Sequence, residues 1–148
     1  MTTNAPIGLE EIQKLYADYL EQVHQAELSR KGMSGYMGFG PKLGDDPCHS
    51  RFAQSLEALL NDIARQKPIS AQVREMLAYI YRAPLEHRKP PAVYWMLIAV
   101  QGLSIELIDR LNREDALALW TEYKKLYRWG ERLAVQKKVL AALRSACA

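Results

Sequence analysis

The chain has 148 residues, of which 49% are hydrophobic and 25% charged, with a formal net charge of +3. That length suits one domain able to withdraw roughly 70% of its unfolded surface from water, and the composition excludes the apolar-poor, highly charged class of disordered chains. Cys48 and Cys147 lie far apart with no Cys-x-x-Cys spacing, which speaks against a disulfide framework and a zinc site.

The start, "MTTNAPIGLEEIQ", has no basic region followed by an apolar stretch, so no secretory signal is expected. The longest apolar run, "AVYWMLIAV" from Ala92 to Val100, is about half the ~18 residues of a membrane-spanning helix. The expectation is a reduced, cytoplasmic protein without membrane contact.

In chain order, Leu9, Ile12, Tyr16, Tyr19, Val23 and Ala26 alternate spacings of three and four, which predicts a first helix from about Gly8 to Lys31, ended by Gly32. A glycine-rich loop over 32–45 follows, in which Met33, Tyr36, Met37 and Phe39 offer adaptable contact area on a permissive backbone. Asp46 and Pro47 read as a cap and first helical residue. The helix they open buries Phe52, Leu56, Leu59, Leu60 and Ile63.

Ser70 caps a third helix with Val73, Leu77, Ile80 and Tyr81 inward, and "APLEHRKPP" then reads as a connector because of its three prolines. The next run, apolar all round, predicts a central helix with Trp95 in the core, closed by Gly102. Ser104 opens a short segment with Ile105, Ile108 and Leu111 on one side. Asn112 and Asp115 form a capping pair for a helix presenting Ala116, Trp120, Tyr123 and Tyr127. After Gly130, a last helix buries Leu133, Val139, Leu140 and Leu143. With no two-residue alternation and no repeat, the fold class is all-α: an irregular bundle of about six or seven helices in a single domain spanning 1–148.

The densest chemistry is "GFGPKLGDDPCHS", from Gly38 to Ser50. A phosphate-binding loop needs Gly-Lys-Ser/Thr after a strand, and here Lys42 precedes Gly44 with no hydroxyl following. The dinucleotide fingerprint fails too, its third glycine falling one residue late. Cys48 beside a helix start, with His49 next to it, suggests a reactive thiol or a metal site. Adjacent helical positions diverge by about 100°, however, so His49 is badly placed as a base for Cys48. The plainer account is a partly buried cysteine beside a solvated histidine. No catalytic residue, metal ligand or cofactor is assigned.

Charge is uneven along the chain. From Thr121 to Ala148 seven basic residues, Lys124, Lys125, Arg128, Arg132, Lys137, Lys138 and Arg144, face only Glu122 and Glu131, a net of +5, leaving −2 for the rest. Tyr123, Tyr127 and Trp129 interleave with them, as in surfaces that hold phosphates and stack bases. A faint helix-turn-helix echo in "QGLSIELIDRLNREDALALW" is weakened by Glu114 and Asp115, which would meet phosphate with like charge. The expected function is therefore macromolecular interaction rather than catalysis, with an unidentified protein as partner. The alternative is a nucleic-acid accessory role for residues 124–144, contacting through Lys124, Lys125, Arg128, Trp129, Arg132, Lys137 and Lys138. A thiol or metal site at Cys48 and His49 is the third reading.

Overall fold

Helix α1, Leu9–Met33, starts where the Gly8 N–H reaches back to the Glu11 carboxylate at 3.2 Å, the side-chain closure that satisfies an otherwise orphaned helix-start donor. The computed structural model describes residues 8–33, 47–86, 91–128 and 133–148; the expected loop surface of Tyr36, Met37 and Phe39, the Met33 side chain, and the Asp46 cap lie outside the described residues. The helix runs through Gly32 rather than stopping there. Its buried stripe is Ile12, Tyr16, Tyr19, Leu20 and Val23, as the spacing predicts.

Helix α2, Pro47–Arg65, has proline at its first position, where the missing N–H costs nothing. Phe52 on this helix stacks on Tyr19 with ring centroids 4.1 Å apart and meets Tyr16 edge-on at 5.1 Å, locking α1 to α2. The helix ends in a turn whose Lys67 has φ of 51°, the left-handed region that costs a residue with a Cβ roughly 1–2 kcal/mol.

Helix α3, Ser70–Glu86, corrects the expected connector: it continues through Pro84. Proline lacks the donor for the preceding turn, yet Ala83 and Pro84 are both buried, so the helix persists because its apolar face is held by packing. Helix α4, Pro91–Ala99, likewise does not end at Gly102. Ala99 keeps helical dihedrals, φ −59° and ψ −39°, and the chain continues as a 3₁₀ helix from Val100 to Arg110. Gly102 serves a close approach, since a Cβ there would meet a Val135 methyl at 3.2 Å.

Helices α5, Arg113–Leu126, and α6, Ala134–Cys147, complete the bundle. Among the described residues there are six α-helices, one 3₁₀ helix and no strand, so the protein is all-α. The Val100–Arg110 segment touches α2, α3, α4 and α6 and forms the centre, with α1 and α2 on one side and the α5–α6 pair on the other. The run Ala92–Arg110 is long and apolar enough, by length and composition, to cross a membrane, although Ala92–Val100 alone is not. Here 44% of that run is buried within the helical bundle.

Trp95 overturns an expectation. Val93, Leu97 and Ile98 are buried, whereas Trp95 is 53% exposed, because α4 turns one stripe outward and no polar residue marks which stripe that is.

Candidate functional site

His49 is 5% exposed rather than solvated, and its Nδ1 lies 2.6 Å from the Tyr19 hydroxyl. The imidazole is turned into the α1–α2 contact, and its neighbour Cys48 is partly buried against the core. Among the described residues no three His, Cys, Asp or Glu side chains converge as metal ligands.

The bundle's centre holds a second polar cluster. Gln101 is fully buried; its Oε1 accepts from the Tyr123 hydroxyl at 2.7 Å, and its Nε2 donates to the Tyr127 hydroxyl at 3.2 Å. Tyr127 in turn donates to the Tyr81 carbonyl, and Ser104 donates to the Gln101 carbonyl at 2.7 Å. Burial pushes the hydroxyls of Tyr16, Tyr81, Tyr123 and Tyr127 well above the ordinary tyrosine range, because a phenolate cannot be solvated there. This network binds the 3₁₀ helix to α3 and α5 with its polar atoms turned inward, so it is structural.

Between α3 and α5 the charges are paired. The Ser70 hydroxyl donates to Asp115 at 2.5 Å and accepts the Asn112 N–H at 2.8 Å, while Asn112 caps α5 through the Asp115 N–H. The capping pair stands as the sequence predicts, but Ser70 is used across helices. Arg74 reaches Asp115 at 3.1 Å and Arg82 reaches Glu122 at 2.5 Å. The Ser70 hydroxyl, then Arg74, hold the Asp115 carboxyl below the usual carboxylate range. A groove of about 490 Å³ runs beside these pairs, with Tyr79 in its wall, but its arginines are already neutralised.

Two further grooves flank α6. One, about 370 Å³, is lined by Trp95, Ile98 and Ala99 of α4 with Leu133, Ala134 and Val135, and every residue in it is apolar. The other, about 290 Å³, is lined by Trp120 and Lys124 of α5 with Leu140, Ala141 and Arg144. The Lys124 ammonium sits 4.5 Å from the centroid of the Trp120 ring, a cation–π contact. Val135 and Leu140 point about 140° apart on α6, so the helix is a wall shared by both grooves.

Of the basic residues singled out by charge, Lys124 lines the second groove, while Lys125, Arg128, Lys137 and Lys138 are exposed nearby. Trp129 and Arg132 lie outside the described residues. The aromatic that joins the basic surface is Trp120, which the spacing assigns to the core; its four-residue offset from Lys124 was the available signal. The Trp95 groove carries no charge pattern and was invisible to that reasoning. Comparison with protein-family models, with curated proteins and with solved structures gives no match to this chain.

Proposed function

We propose that this protein acts by binding another macromolecule, a protein, rather than by catalysis, and that Trp95 is the anchor of the contact. The observation that carries this reading is a half-exposed tryptophan in a groove whose described residues are all apolar. Tryptophan is enriched among residues that dominate binding energy, because it offers a large rigid area at small rotamer cost. Both cysteines are free thiols, which supports a reducing, cytoplasmic setting.

The test is capture of partners by the wild-type chain and by Trp95→Ser, each from extract with and without nuclease treatment. Partners retained by the wild type and lost by the variant are expected. Retention of the same partners by Trp95→Ser would overturn the anchor. Captured species that vanish with nuclease treatment would favour the nucleic-acid reading instead.

A further inference from the structure

Two of the three carboxylates of α5 are taken up on one side of the helix. Asp115 and Glu122 face α3, where Arg74 and Arg82 take them up. Trp120 and Lys124 face α6, whose charged residues, Lys137, Lys138 and Arg144, are all basic. The groove between the two helices therefore has an apolar floor of Trp120, Leu140 and Ala141, contains Lys124 and Arg144, and has no carboxylate among the described residues that line it. Neither Lys124 nor Arg144 forms an ion pair among the described residues. Leu117, 52% exposed, extends the apolar strip one turn from Trp120.

On α5 the Lys124 ammonium lies over the Trp120 ring, and on α6 Arg144 stands one turn from Leu140, so both cations border the same apolar floor. A helical ligand that matches this presents apolar residues on one face with carboxylates beside them on neighbouring turns.

We propose that the α5–α6 groove receives an acidic amphipathic segment of a partner protein, its apolar residues on Leu140 and Ala141 beside Trp120 and its carboxylates on Lys124 and Arg144. This rests on the reading of the protein as an interaction module and adds the chemistry of a partner. Charge complementarity selects the acids, and the aliphatic floor selects the apolar residues, as in other helix-in-groove contacts. A single-stranded nucleic acid fits less well. Phosphates would meet Lys124 and Arg144, but Leu140 and Ala141 offer the sugars no hydrogen bond and the bases no ring to stack on.

The experiment titrates the full chain with a synthetic helical peptide of about twenty residues built on Glu-x-x-Leu-Leu-x-x-Glu. Binding is read by calorimetry and by the NMR shifts of the assigned Trp120 and Trp95 indole N–H groups. Saturable binding that moves Trp120 is expected. Changing the peptide's Glu to Gln, or its Leu to Ser, should each weaken it about tenfold, as should Lys124→Glu with Arg144→Glu in the protein. Because a charge reversal can perturb the fold, Lys124→Gln with Arg144→Gln is measured beside it, with circular dichroism on both.

Absence of any Trp120 shift at millimolar peptide overturns the proposal, as does undiminished binding by either double variant or by the Leu→Ser peptide. Tighter binding of an oligonucleotide with the same charge assigns the groove to nucleic acid and also overturns it. A peptide that moves Trp95 alone overturns this assignment while leaving the interaction reading in place, which the Trp95→Ser capture tests separately.

Discussion

Trp95 and Trp120 stand on opposite flanks of α6 and teach different things. Among the described residues the Trp95 groove is lined only by apolar side chains, which do not discriminate by the charge of whatever approaches. Trp120 lies beneath a lysine, with an arginine in the same groove, so its surroundings discriminate by charge. The difference arises two helices away. Because Arg74 and Arg82 of α3 engage Asp115 and Glu122 of α5, those two carboxylates are held away from the groove that contains Lys124 and Arg144. One helix thus separates a contact set by area from a contact set by complementarity.

The largest test of this comparison is made on α4 itself. Leu97→Ala, at a buried position facing inward, should cost about 2–5 kcal/mol. Trp95→Ala, two residues away, should cost less than about 1 kcal/mol, because the ring is already half in water. Denaturant unfolding of the two variants decides it, and a larger loss at Trp95 would place that stripe of α4 in the core.

The next largest effect reaches both grooves at once. Gln101→Leu leaves the hydroxyls of Tyr123 and Tyr127 without their amide partner in the core, which should cost about 2–3 kcal/mol. Because the 3₁₀ helix supports α6, the accessibility of both tryptophans to acrylamide should rise together. A change confined to one tryptophan would show that the grooves do not share a foundation.

The pH limits of that foundation follow from two sets of groups. The Asp115 carboxyl is held low in the folded protein, so the unfolded chain takes up its proton first, and the stability it supplies is lost as pH falls below about 4. The buried tyrosine hydroxyls are raised. Above about pH 10 the unfolded chain therefore releases protons that the folded one retains, and stability falls again. Thermal melts across pH should show both shoulders, and Asp115→Asn should remove part of the acidic one.

Quenching separates the two grooves without touching stability. In chains retaining one tryptophan each, iodide should quench Trp120 more strongly than caesium does, with the preference fading in salt as charges are screened within about 10 Å at 0.1 M. Trp95 should show no such salt-dependent preference. Smallest of all, Lys67→Gly should add about 0.5–1 kcal/mol by relieving the left-handed backbone, leaving both quenching patterns unchanged.

The helical class and the inward stripes of α1, α2, α3 and α5 were legible because polar residues mark the outer faces: Ile12, Tyr16, Tyr19 and Val23 are buried as their spacing requires. The failures share one cause, in that tertiary packing overrode a local signal. Pro84 and Gly102 are breakers by local chemistry, yet each sits inside a helix held by its neighbours. Trp95 could not be oriented because α4 carries no polar residue to define its outside. His49 is buried through a hydrogen bond to a tyrosine thirty residues earlier, a pairing no local pattern contains. Of the candidate site, the basic residues were legible by charge and the groove that uses Lys124 and Arg144 was not, because it exists only once α5 and α6 lie side by side.

The ties from Ser70 and Arg74 to Asp115, and from Arg82 to Glu122, run in the same order along α3 and α5. The two helices therefore point the same way, with their electropositive beginnings together, a juxtaposition that one shared Asp115 carboxylate offsets. Two helices with a common direction cannot be joined by a short turn: the chain must travel back the full length of α3 before α5 can begin. The segment from Pro91 to Arg110 makes that return journey through the middle of the bundle. The inward side of such a return must be apolar along much of its course. The resemblance of Ala92–Arg110 to a membrane span is the topological consequence of a parallel helix pair.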